Sequence, residues 1–117
     1  GNYRSCLKRT LFLENIDPVV NVGTKRLQLK AYYELKDFEA LDSGLNSLRV
    51  FVHRIRGVSE NYKTHHNSFV NLMASLFKVS STYKEKEHLE KLLEELEATP
   101  NIPEQDWLIE KVKGLLS

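Results

Sequence analysis

Residues 37–57, DFEALDSGLNSLRVFVHRIRG, decide how this chain is read. Phe38, Leu41, Leu45, Leu48, Val52 and Ile55 recur at spacings of 3, 4, 3, 4 and 3, which places them on one face of an α-helix. Asp37 stands just before this stripe, where a carboxylate accepts one of the free backbone N–H groups of the first turn. Gly57 stands just after it, where a left-handed residue ends a helix.

Working outward, the same period recurs. Upstream, Leu27, Ala31 and Leu35 share a face, widened by Leu29 and Tyr32. Thr24 is the expected cap of that helix, and Gly23 argues against extending it further back. Downstream, Ser59 opens a third helix carrying Tyr62, His66, Phe69, Met73 and Leu76, broadened by Leu72 and Phe77. Val79-Ser80-Ser81 reads as a break. Thr82 and Glu85 have the spacing of a capping box, opening a helix with Leu89, Leu92, Leu93 and Leu96 inward and a dense Glu/Lys face outward. Thr99-Pro100-Asn101 ends it. Asn101 and Glu104 repeat the capping-box spacing, with Pro103 in the first turn, ahead of Trp107, Leu108, Val112, Leu115 and Leu116.

At the other end Tyr3 to Leu13 reads as a helix that stops near Asn15-Ile16-Asp17-Pro18. Whether Asp17-Pro18 caps the next helix early stays open. Val19-Val20-Asn21-Val22 is β-branched but has no segment to pair with, and a lone strand is not stable. The expected fold class is all-α, about six helices joined by short turns, with residues 1–117 as a single domain.

Composition agrees. At 41% apolar and 28% charged, the chain is too apolar for disorder and too charged for a membrane span, and no apolar run exceeds four residues. A single cysteine forbids an internal disulfide framework. The expectation is a soluble, cytoplasmic protein without a leader segment. The net charge of +1 hides an asymmetry: residues 1–83 hold 12 Lys+Arg against 7 Asp+Glu, and residues 84–117 hold 5 against 9. Such a two-signed chain steers a charged partner or pairs head to tail with a copy of itself, unless the charges are merely solvated helix faces.

The stretch LKAYYELKDFEAL, residues 29–41, resembles the helix–turn–helix core of a tetratricopeptide repeat: a tyrosine in the first helix, a tight turn, and an aromatic opening the second. The resemblance covers residues 24–56 and rests on helix alternation elsewhere. Leu29, Leu41 and Leu48 stand where the family favours small residues, His53 where it favours proline, and no second copy follows about 34 residues later. The chain is thus similar to divergent, uncharacterised bacterial helical-repeat proteins. The resemblance implies an α-α superhelix of antiparallel pairs in which Tyr32 packs on the second helix and Phe38 wedges the turn. It also implies a C-terminal fragment of a longer chain, with Gly1 a remnant of excision, because such repeats need about three copies for stability.

No catalytic, cofactor-binding or metal-ligating set emerges. His53, His65, His66 and His88 contain no i, i+4 pair, and Cys6 has no thiolate partner. His66 reads as a half-buried residue on its stripe, Cys6 as a small hydrophobe, and Trp107 as an anchor for the last helix. The Glu/Lys interleaving of residues 84–97 marks a solvated helix face. No two glycines lie close enough to make a phosphate loop. The chain is therefore expected not to be an enzyme.

Two basic stripes remain. Arg26, Lys30 and Tyr33 lie on the first helix of the pair, which in tetratricopeptide arrays lines the concave groove. The resemblance implies that these residues face an acidic peptide or a terminal carboxylate. Arg49, His53 and Arg56, at i, i+4 and i+7, form the alternative basic face, suited to nucleic acid. That reading is the poorer one for a chain of pI near 8.0. The expected role is a protein-interaction or scaffolding module. The alternatives are a nucleic-acid-associated or regulatory domain and a structural cap that self-associates through the Glu90, Glu94 and Glu97 face.

Overall fold

The computed structural model describes Tyr3, residues 18–81 and residues 86–117. Those residues form five helices and no strand: α1 (Pro18–Glu34), α2 (Phe38–Arg54), α3 (Glu60–Ser81), α4 (Lys86–Ala98) and α5 (Gln105–Leu116). Contacts divide the chain after Gly57 into two compact units. In the first α1 packs on α2, and in the second α3, α4 and α5 pack on one another. The all-α expectation holds. Of the helix expected over residues 3–13 only Tyr3, which is helical and exposed, is described, and the Thr82–Glu85 capping box lies outside the described residues.

In the first unit α1 starts earlier than its sequence implied. Pro18 occupies the first turn, where a missing N–H does no harm. The helix then runs through Val19 to Val22 and through Gly23. A helical glycine costs about 1 kcal/mol relative to alanine, and the fully buried Val22 and Leu29 offset it. Thr24 is not the cap: its hydroxyl donates to the Asn21 carbonyl inside the helix at 2.8 Å. Nor is Leu27 a core residue. The buried arc is Val22, Thr24, Gln28, Leu29 and Ala31, and Leu27 lies exposed at its edge.

The turn between α1 and α2 is three residues long. Lys36 N–H donates to the Tyr33 carbonyl at 3.0 Å and Asp37 N–H to the Tyr32 carbonyl at 2.9 Å. This is the doubly bonded helix end whose geometry needs a left-handed residue. Lys36 supplies it at φ 58°. The Asp37 carboxylate then accepts from Ala40 N–H at 3.2 Å, as the sequence implies. One residue thereby closes α1 with its backbone and opens α2 with its side chain. Along α2 the deciding stripe is the buried one: Leu41, Leu45, Leu48 and Val52, with Ile55 just beyond the helix. Each leucine so buried contributes about 2 kcal/mol relative to an exposed one. Ile55 leaves the helix in an extended conformation at ψ 139°. Gly57, at φ 81°, therefore belongs to the connection rather than to the helix end.

In the second unit Ser59 caps α3 as expected, its Oγ accepting from Tyr62 N–H at 3.0 Å. The break expected at Val79-Ser80-Ser81 does not occur, and α3 continues to Ser81. Serine is only mildly unfavourable in a helix, and Val79 is held in the core. Leu89, Leu92 and Leu96 of α4 and Leu108 and Val112 of α5 turn inward. The capping box expected at Asn101 and Glu104 is also absent. Both residues are left-handed at φ 61°, and Glu104 makes no side-chain cap. Instead the Gln105 amide donates back to the Leu96 and Thr99 carbonyls at 2.7 and 3.2 Å, satisfying the end of α4. Ile102 is buried between the two helices in sequence. Burying Ile102 and aiming Gln105 backward hold the chain on this path, so α5 starts at Gln105 and Pro103 lies in the turn.

Candidate functional site

Two matching runs of residues face each other across the first unit. Lys25, Gln28, Leu29 and Tyr32 on α1, and Ala40, Ser43, Gly44 and Ser47 on α2, are both spaced i, i+3, i+4, i+7, so each set lines one helix face. The α1 set is long and the α2 set is small. Together they line a groove of about 340 Å³. Gly44 sets the closest approach: a Cβ added there would lie 2.7 Å from Leu29 Cδ2 and 3.7 Å from Tyr32 Cε2. The groove exists because α2 carries no bulk on this face, and the helices touch where it carries least.

The chemistry of the lining is one-sided. Lys25 brings an ammonium, whose Nζ stands 5.6 Å over the Phe51 ring. Ser43, Ser47 and Tyr32 bring hydroxyls, Gln28 brings an amide, and among the described residues no carboxylate lines the groove. Gln28 is only 8% exposed, and its Nε2 is buried without a hydrogen-bond partner. Buried donors are nearly always paired, because an unmade bond costs about 1–3 kcal/mol.

The residues expected to bind a partner lie elsewhere. Arg26, Lys30 and Tyr33 are half-buried on α1 and do not line the groove. Residue 26 follows residue 25, a rotation of about 100° around the helix. Tyr33 instead meets Phe38 edge-on across the turn, with ring centroids 6.3 Å apart. Tyr32, expected to pack on the second helix, lies against Gly44 of α2. On the alternative basic face Arg49 and His53 are exposed, and Arg49 donates to Asn46 Oδ1 at 3.2 Å. Arg56 lies beyond the end of α2 and so leaves the helical stripe.

In the second unit His66 is buried, with Nδ1–H donating to the Tyr62 carbonyl at 2.9 Å and its ring 4.2 Å from that of Tyr62. Half-buried Trp107 carries Lys111 Nζ 5.7 Å over its ring. Among the described residues, no group of three or more His, Cys, Asp or Glu is placed to hold a metal ion. No described helix is long and apolar enough to cross a membrane.

Reading the sequence for basic stripes missed Lys25, Gln28, Ser43, Gly44 and Ser47. The signal was the i, i+3, i+4, i+7 run of small residues from Ala40 to Ser47, which a search for charge passes over. Comparison of the chain with protein-family models, with curated proteins and with solved structures finds no match.

Proposed function

We propose that this chain is a protein-interaction module of the tetratricopeptide-like class, that it is not an enzyme, and that it takes a partner polypeptide in the α1–α2 groove. The observation that carries this reading is the groove itself. It is open between two helices, donor-rich, free of carboxylates among the described residues, and walled by a buried amide without a partner. Peptides are commonly recognised by being laid into a groove between secondary-structure elements, with side-chain anchors giving specificity. The three-residue turn and the Tyr33–Phe38 contact brace the hairpin, so that a partner meets a preformed surface and little ordering entropy is lost on binding.

The experiment is a display selection of random 15-residue peptides on the full chain, followed by fluorescence-anisotropy titration of the enriched sequences. Saturable binding that depends on peptide sequence is the expected result. If no enriched peptide titrates to saturation, the reading fails.

A further inference from the structure

We infer that this chain associates with a second copy of itself, the acidic outer face of α4 on one copy docking on the basic C-terminal end of α2 on the other. None of the residues involved lines the groove, so the inference stands apart from the polypeptide-binding reading.

The two surfaces are opposite in charge and alike in length. Along α4, Glu87, Glu90, Glu94 and Glu97 follow at i, i+3, i+7 and i+10, and all four are exposed. The helical rise spreads them over about 15 Å. Lys86 and Lys91 flank them without cancelling them. Lys86 meets Glu90 at 3.8 Å in an exposed i, i+4 pair, and the face stays negative. On the other surface, residues 43–59 hold Arg49, Arg54 and Arg56 and not one Asp or Glu. All three arginines are exposed. Helix from Arg49 to Arg54 and extended chain beyond it spread them over about 14 Å.

Charge alone holds a surface contact weakly, because exposed ion pairs are screened and restrict two long side chains. Each surface also has an apolar centre. Val50, next to Arg49 and one turn before Arg54, is 47% exposed. Leu93 is half-buried on α4, one turn after Glu90 and one turn before Glu97. Seating Val50 on Leu93 takes apolar area out of water and brings the arginines over the glutamates, an apolar centre with a charged rim. The planar fork of arginine suits this rim, since it donates to both oxygens of a carboxylate at once. Glutamate face against glutamate face, or arginine against arginine, would only repel. The contact is therefore head-to-tail, between unlike surfaces of two copies.

The test is sedimentation equilibrium of the full chain over an about hundredfold range of concentration. It is run in about 0.1 M and about 1 M NaCl, between which the screening length falls from about 10 Å to about 3 Å. At the lower salt the mean mass should climb above the 13.6 kDa of one chain as concentration rises. At the higher salt association should weaken by at least about tenfold. Two charge-reversed variants, Glu90→Lys/Glu94→Lys and Arg49→Glu/Arg54→Glu, should each stay monomeric alone. Mixed in equal amounts they should associate, because the first keeps the basic surface and the second keeps the acidic one. A chain that holds to 13.6 kDa at the lower salt overturns the inference. So does association indifferent to salt, a variant that still associates with itself, or a mixture that does not associate. The substituted residues are all exposed, and far-ultraviolet circular dichroism checks that each variant folds. Should one fail to fold, the concentration-dependent amide shifts of the unmodified chain decide the matter: at Val50 and Leu93 they support the inference, and confined elsewhere they overturn it.

Discussion

Replacing Gly44 by alanine tests whether the hairpin touches where the structure places the contact. Two effects oppose each other at this position. Alanine favours a helix over glycine by about 1 kcal/mol wherever the added methyl has room. At Gly44 it has none: the new Cβ would lie 2.7 Å from Leu29 Cδ2, where apolar carbons rest at about 3.5–4.0 Å. Leu29 must then yield by roughly 1 Å, and it is 1% exposed, so it moves into filled space. Overpacking of this kind costs about 1–3 kcal/mol. The net expectation for Gly44→Ala is a loss of about 0–2 kcal/mol. Gly23→Ala is the control. Gly23 is also inside a helix, and a Cβ there meets nothing within 4 Å, so this variant should gain about 1 kcal/mol. The quantity to measure is the difference, about 1–3 kcal/mol, from urea unfolding followed by far-ultraviolet circular dichroism. Amide exchange in α1 and α2 serves as the local readout. In a Leu29→Ala background the overlap disappears and Gly44→Ala should regain most of its helical benefit, a coupling that a double-mutant cycle isolates. If Gly44→Ala stabilises the chain as much as Gly23→Ala does, the close approach is wrong, and with it the shape of the groove.

Three further outcomes follow from the helix ends. Lys36→Gly should stabilise the chain by about 1 kcal/mol in thermal unfolding, because glycine adopts φ 58° without the Cβ conflict that lysine suffers. Asp37→Ala should cost about 1 kcal/mol by removing the acceptor of the Ala40 N–H, and amide exchange at the start of α2 should accelerate. Gln105→Leu should cost about 1–3 kcal/mol by leaving the Leu96 and Thr99 carbonyls without their donor. The fluorescence of Trp107, the sole tryptophan in the sequence, follows that loss from within the same unit.

What the sequence made legible follows from how local each signal is. The α2 stripe and the caps at Asp37 and Ser59 depend on neighbours within four residues, and they stand as read. The misplaced features depend on contacts that spacing does not carry. α1 has no clean apolar stripe, so its start and its buried face are set by packing, and Leu27 is left outside while Gln28 goes in. Asn101 and Glu104 match a capping box in spacing, yet burial of Ile102 and the reach of Gln105 override it. The groove escaped for another reason. A charge is conspicuous in a sequence, whereas a groove is an absence of bulk, written here as Ala40, Ser43, Gly44 and Ser47 and meaningful only once α1 lies opposite. An orphaned amide such as that of Gln28 is not visible until every neighbour is placed.

The most direct measurement is the NMR footprint of a selected peptide on the ¹⁵N-labelled full chain. If the groove holds the partner, shifts concentrate at Lys25, Gln28, Tyr32, Ser43, Gly44 and Ser47, and the Gln28 side-chain amide moves with them. Shifts confined to Arg26, Lys30 and Tyr33, to Arg49, His53 and Arg56, or to α3, α4 and α5 would contradict it.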